Sequence, residues 1–166
     1  MDPLNIRVAG SDDIEAAREV LRAAYSEYER SFPAENWIPY LADILDLEGR
    51  AEESELIVAE RDGRIVGCVS YFPPGSKASY PSDAFSERWP DDWGAIRLLA
   101  VDPAARGGGV GRKLTEACID RARAQAGDRV PVVVDEDHPR EIAGAKVHLR
   151  GVGNAVLQID RSTRDT

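Results

Sequence analysis

Apolar positions in the first third of the chain recur at helical spacing. Ile14, Ala17, Leu21, Ala24, Tyr25 and Tyr28 fall on one face and predict an amphipathic helix of about 16 residues. Ser11 and Asp12 stand before it as capping side chains, with Glu15 as a capping-box partner, and a short strand candidate, Asn5 to Ala9, precedes them. A second helix is expected with Asn36 as its cap, Pro39 in its first turn, and Ile38, Leu41, Ile44 and Leu45 facing inward.

The period then changes. Leu56 to Glu60 and Ile65 to Phe72 are β-rich runs joined across Asp62-Gly63, the dipeptide favoured in tight primed hairpin turns. A proline-rich segment with three aromatics, Tyr80, Phe85 and Trp89, fills Pro73 to Asp92; a loop that long in a compact domain is usually functional or disordered, and the aromatics favour function. Ala95 to Val101 is a strongly apolar strand ended by Asp102-Pro103. "VGRKLTEACIDRARAQAG" then reads as a helix burying Leu114, Ala117, Cys118 and Arg121 or Ala122, with Gly127 as C-cap. Val130 to Val134 reads as a buried strand. Strand, helix and strand predict a right-handed βαβ unit with parallel strands.

The chain has 166 residues, of which 43% are hydrophobic and 31% charged, which implies one globular domain over 1–166. No apolar run approaches the roughly 20 residues of a membrane span, and the N-terminus carries no secretory pattern. Cys68 and Cys118 stand far apart without metal-ligand spacing; both are expected to be buried packing residues in a reducing, cytoplasmic setting. A net charge of −9 argues against nucleic acid and suits an amine partner. The run Asp135 to His138 is expected to be a solvated acidic turn, so no metal is expected.

Candidate chemistry concentrates in "ARGGGVGRK", Ala105 to Lys113. Glycine costs roughly 1 kcal/mol inside a helix, so placing so much of it between a strand and a helix start requires a reason. Backbone amides at a helix N-terminus are unpaired and the dipole there is positive, which suits a phosphate. Glycines let the anion approach and permit positive φ. The dinucleotide fingerprint and the P-loop pattern both fail here; Arg-x-x-Gly-x-Gly fits, as Arg106, Gly109 and Gly111.

"IRLLAVDPAARGGGVGRKLTEACIDRA" resembles the coenzyme A binding core of the GCN5-related N-acetyltransferases, the GNAT family, and the order of elements from about residue 4 to 134 is similar. The resemblance implies an α/β fold, a splayed mixed β-sheet flanked by helices, with acetyl-CoA between the strand at 95–101 and that at 130–134. It implies that main-chain groups of Leu99, Ala100 and Val101 serve the pantetheine arm, the thioester carbonyl and the oxyanion. Arg106 and the amides of Gly107, Gly108, Gly109, Val110, Gly111 and Arg112 would hold the pyrophosphate. The implied reaction is direct acetyl transfer to a primary amine, of a small molecule, a Lys or a protein N-terminus. An alternative of another class is a non-catalytic acyl-CoA-binding regulatory module.

The family's usual acid at the start of the strand is missing, since Trp93-Gly94-Ala95 stands there. Asp92, beside Asp91, is a candidate base, and Glu27, Tyr28 and Tyr71 are further groups that could reach the cleft. After the last parallel strand the family presents Tyr as an acid; here "AKVHLRGVGN" has Leu149 at that spacing, leaving the adjacent His148, expected on a helix, as a substitute. Residues 135–166 depart from the family pattern as a block, with one strand candidate, Ala155 to Ile159. A sheet short of its last strand leaves an edge that a second copy could cover as a homodimer.

Overall fold

A computed structural model describes residues 3–76 and 94–126, together with the backbone of strands within 140–159. Strand β1 (Asn5–Val8) is followed by a 3₁₀ turn, Ser11–Asp13, and helix α1 (Ile14–Tyr25). The predicted 16-residue helix is therefore divided: its last part is a 3₁₀ segment, Ser26–Ser31, although Tyr28 still packs on the same core. The N-terminal cap also differs. Gly10 takes the extended capping position, and the Asp13 carboxylate accepts its amide proton at 2.7 Å.

Helix α2 (Ala34–Leu45) starts after Pro33, whose carbonyl accepts from the amides of Asn36 and Trp37. Asn36 is thus inside the helix rather than its cap, and Pro39 lies past the first turn. The inward face is set by Trp37, 5% exposed, while Ile38 stands 70% exposed, contrary to the expected stripe. The indole is the largest apolar body of the helix, and burying it rotates Ile38 outward. A four-residue helix, α3 (Leu47–Arg50), leads into the hairpin β2 (Glu55–Arg61) and β3 (Arg64–Phe72). Asp62 and Gly63 have φ of +51° and +71°, the primed turn that the dipeptide predicts.

Strand β4 (Ala95–Val101) has the predicted bounds, and helix α4 (Val110–Ala126) follows it. The remaining strands are β5 (Arg140–Ile142), β6 (Ala145–Arg150) and β7 (Asn154–Ile159). Among the described residues the sheet order is β1-β2-β3-β4-β7-β6-β5, antiparallel at every described pairing. The expected parallel strand at 130–134, the Gly127 cap and most of the 73–92 loop lie outside the described residues. His148 is on strand β6, opposite Val156, not on a helix. "AKVHLR" alternates apolar and polar side chains, which is a strand period, and so it pairs as one.

The sheet divides two cores. On one face α4 lays Val110, Leu114, Cys118, Ile119 and Ala122 against Ile57, Ala59, Val69, Tyr71 and Ile96. On the other, α1 and α2 pack Leu21, Tyr25, Trp37 and Ile44 against Val58, Cys68, Leu98 and Ala100. Both cysteines are buried and unbonded, as expected, and desolvation pushes the Cys68 thiol up to about 12.

Candidate acetyl-CoA site

The glycine turn is built by the end of β4. Asp102 bonds its amide to Val66 O at 2.9 Å, and its side chain accepts from Ala104 N, which holds the 3₁₀ turn Pro103–Ala105. The chain then needs two left-handed residues. Gly107 and Gly109 have φ of +81° and +76°, which an L side chain adopts only with strain. A Cβ at either would meet nothing within 4 Å, so their backbone faces open space that an anion could enter. Gly109 O accepts the first helical bond, from Lys113 N at 3.0 Å, so the amides of Val110, Gly111 and Arg112 precede the bonded helix and have no partner within it. Gly111 has an ordinary φ, and a Cβ there would lie 3.6 Å from Val101 in normal contact; that position has room for alanine. These features fit a pyrophosphate.

What fixes the turn in space is a residue that the motif does not contain. A Cβ on Gly67 of β3 would lie 2.7 Å from Val110 Cγ1, 3.0 Å from Leu114 Cδ1 and 3.2 Å from Ala100 O. Helix α4 therefore lies on the bare backbone of β3. A lone glycine inside the apolar run "IVGCV" is the sequence signal for such an approach.

Strand β4 carries the other half of the site. Its register with β3 passes from Cys68↔Ala100 to Ser70↔Arg97, so that Leu98 and Leu99 oppose the single residue Val69. This is a β-bulge, and Leu98 takes φ +56° at its centre, a conformation costing about 1–2 kcal/mol for a side chain of this kind. Burial of Leu98, 2% exposed, offsets that strain. The bulge puts Arg97 and Leu98 on the α1/α2 face and returns Leu99 and Val101 to the α4 face. Among the described residues, pairing of β4 with β7 covers Ala95 to Arg97. Past that point the backbone of Leu98 to Val101 has no β7 partner among the described residues.

The charged groups at the turn are mostly engaged. Arg106 makes a two-pronged pair with Glu27, both contacts 3.0 Å, which ties the 3₁₀ segment after α1 to the turn. The pair holds the Glu27 carboxyl below its ordinary range, with Tyr28 as a further donor to it. Arg112 and Lys113 both pair with Glu116, at 3.0 and 3.4 Å. Tyr71 lies on the α4 face, fully buried, its hydroxyl donating to Gln125 Oε1 at 3.0 Å, and desolvation raises its pKa. Asp91 and Asp92, like the Asp135 to His138 run, lie outside the described residues. The structure brings Glu27, Tyr28 and Arg106 together, and it keeps Tyr71 on the opposite side of the sheet from the two helices.

The α1/α2 side contains a polar cluster that periodicity does not reveal. Arg97, 6% exposed, reaches Asp43 Oδ2 at 3.8 Å, and Arg50, 8% exposed, reaches Asp43 Oδ1 at 3.9 Å. Arg50 also donates to the carbonyls of Asp43 and Ile44. The Tyr25 hydroxyl is buried beside this group with no hydrogen-bond partner among the described residues, and desolvation raises its pKa. Around it Phe32 stacks on Tyr40 at 5.3 Å, and Trp37 leans on both.

Residues 16–146 match the family model for the acetyltransferase (GNAT) family, which extends beyond residue 134 into the block that departs from the motif pattern. The chain belongs to the GNAT family. A mycothiol acetyltransferase of Acidothermus cellulolyticus is 35% identical over 95 residues, 54% of this chain and 29% of that protein. An IAA acetyltransferase of Azospirillum brasilense is 33% identical over 82 residues, 49% of this chain and 44% of that one. The matched stretch thus spans under half of either relative. Among solved structures, the PaiA N-acetyltransferase of Thermoplasma acidophilum in complex with coenzyme A has a TM-score of 0.62 at 14% identity, covering 96% of this chain and 100% of that one. A Brucella melitensis GNAT acetyltransferase in complex with acetyl-CoA has a TM-score of 0.57 at 20% identity, covering 95% and 89%. Both have the mixed α/β fold described above.

Proposed function

We propose that this GNAT protein moves an acetyl group from acetyl-CoA to the amine of a small molecule. The observation that carries the reading is the turn from Arg106 to Arg112: two positive-φ glycines open to solvent, directly before unpaired helix amides. The solved neighbours of the same fold in complex with acetyl-CoA or coenzyme A support it. The similarity to mycothiol acetyltransferase favours a small-molecule acceptor over a protein.

Bound acetyl-CoA supplies an activated thioester; the rest is done by the chain. The amides of Gly107 to Arg112 and the Arg106 guanidinium neutralise the pyrophosphate, with Arg106 exchanging Glu27 for phosphate oxygens. The main chain of Leu99, Ala100 and Val101, beyond the bulge, orients the pantetheine and thioester, and an amide of Leu99 or Ala100 stabilises the oxyanion. The acceptor side is the aromatic cluster of α1 and α2, whose exposed Ile38 and stacked Phe32 and Tyr40 offer apolar surface. An amine with a Lys-like pKa of about 10.4 must lose a proton before attack. Glu27 released from Arg106 is one group able to accept it, with Asp92 as another assignment, and His148 is the candidate donor of a proton to the departing CoA thiolate.

Isothermal titration of acetyl-CoA, CoA and ADP tests the site, with Arg106→Glu and Gly109→Asp as controls. Binding of acetyl-CoA that both variants lose, followed by acceptor-dependent release of the CoA thiol, is the expected result. Folded protein that binds no acetyl-CoA would overturn the reading, and binding without turnover on any amine would leave a binding module.

A further inference from the structure

A fourth cation lies against the glycine turn, outside the motif, and differs from the other three. Arg61 is the last residue of β2, paired across the hairpin with Arg64. Its guanidinium reaches Gly108: a Cβ built there would lie 3.4 Å from Arg61 Nη1 and 3.7 Å from Nη2. Arg106 is held by Glu27, and Arg112 and Lys113 by Glu116. Arg61 makes no ion pair with any described carboxylate, and its Nε is buried without a hydrogen-bond acceptor. The register explains its direction. Side chains of β2 alternate: Ile57 and Ala59 face α4 and Val58 faces α1, so Glu60 pairs with Arg7 on the α1 face and Arg61 turns to the α4 face, where the glycine turn begins the helix.

A guanidinium is a rigid fork of donors that matches phosphate oxygens, and leaving one beside a phosphate turn without an acidic partner has a cost unless an anion completes it. We propose that Arg61 is a phosphate-binding residue of this site, donating from the hairpin end to a phosphate group of the coenzyme. The assignment rests on the acetyl-CoA reading above. It adds a contact from a different element, so the β2–β3 hairpin becomes part of the cofactor site.

The test is titration of acetyl-CoA and of its 3′-dephospho analogue against the wild type, Arg61→Gln, Arg61→Lys and the control Arg64→Gln, at several salt concentrations. Arg64→Gln removes the same charge from the same hairpin but from the position paired with Arg61, and it is expected to bind as the wild type does. Arg61→Gln is expected to bind acetyl-CoA about tenfold more weakly, the effect of one lost charge-assisted hydrogen bond, with a shallower dependence on salt. Arg61→Lys should recover part of the loss, which a merely structural defect would not. Equal weakening with both ligands places the contact on the pyrophosphate; weakening with acetyl-CoA alone places it on the 3′-phosphate. Wild-type binding with an unchanged Arg61→Gln variant, or a loss shared by Arg64→Gln, overturns the assignment while sparing the acetyl-CoA reading. Failure of the wild type to bind overturns both.

Discussion

The two faces of the sheet are built from different materials. The α4 face is mainly an apolar platform: Leu114, Cys118, Ile119 and Ala122 lie on Ile57, Ala59, Val69 and Ile96, and the buried hydroxyls of Tyr71 and Thr115 are satisfied by Gln125 and by the Gly111 carbonyl. The α1/α2 face mixes a core with buried charge, Arg97 and Arg50 around Asp43, beside the Tyr25 hydroxyl, which has no hydrogen-bond partner among the described residues. An apolar platform holds the phosphate turn in one position, because close-packed hydrocarbon permits little adjustment. Buried polar groups with long contacts weaken packing but supply chemistry, which suits the side where an acceptor would bind.

The contact at Gly67 is where this contrast breaks most easily. Gly67→Val would force α4 off β3, and we expect a loss on the order of 3 kcal/mol in denaturant unfolding, together with loss of acetyl-CoA binding. The two thiols report the faces separately, since Cys118 lies under α4 and Cys68 under α1, with its sulfur 3.7 Å from Ala17 O. In the wild type both should resist native-state thiol labelling, and in Gly67→Val the Cys118 rate should rise more than the Cys68 rate. Equal acceleration of both would mean that the faces open as one unit.

A smaller effect is expected at the turn itself. Gly109→Ala places a Cβ at φ +76°, at a cost of about 1–2 kcal/mol, whereas Gly111→Ala should be nearly neutral. Unfolding midpoints of the two variants check this difference.

Acid sensitivity belongs to the α1 side. Arg7 binds Asp13 at 2.6 Å and Glu60 at 2.7 Å, and the hydrogen bond from Arg7 lowers Asp13 to about 2. A depressed carboxyl contributes stability above its unfolded pKa and loses it as pH falls through the folded one. Stability should therefore decline between about pH 4 and pH 2, and Asp13→Asn should flatten that decline in a series of acid unfolding curves. The smallest change is expected from Tyr25→Phe, which deletes a buried hydroxyl that has no described partner. Unchanged or slightly raised stability is the expected outcome, and a clear loss would show that the hydroxyl is bonded.

The sequence by itself determined the elements whose signals are local. Asp62-Gly63 specifies its hairpin because few other dipeptides accept two positive-φ positions. The apolar run at 95–101 and the glycine turn specify β4 and the start of α4 for equally short-range reasons, and the turn alone indicated a phosphate ligand. Tertiary structure decided what depends on a partner distant in the chain. Tyr71 looked like a group for the cleft until the sheet turned it toward Gln125, and Ile38 looked buried until Trp37 took its place. His148 changed from helix to strand once β7 was there to pair with β6. The bulge at Leu98, the Glu27–Arg106 pair and the approach of Arg61 to Gly108 each join residues far apart in sequence. Hydrogen-bond register, side-chain competition for burial and charge pairing across the fold have no local signature, so only packing could settle them.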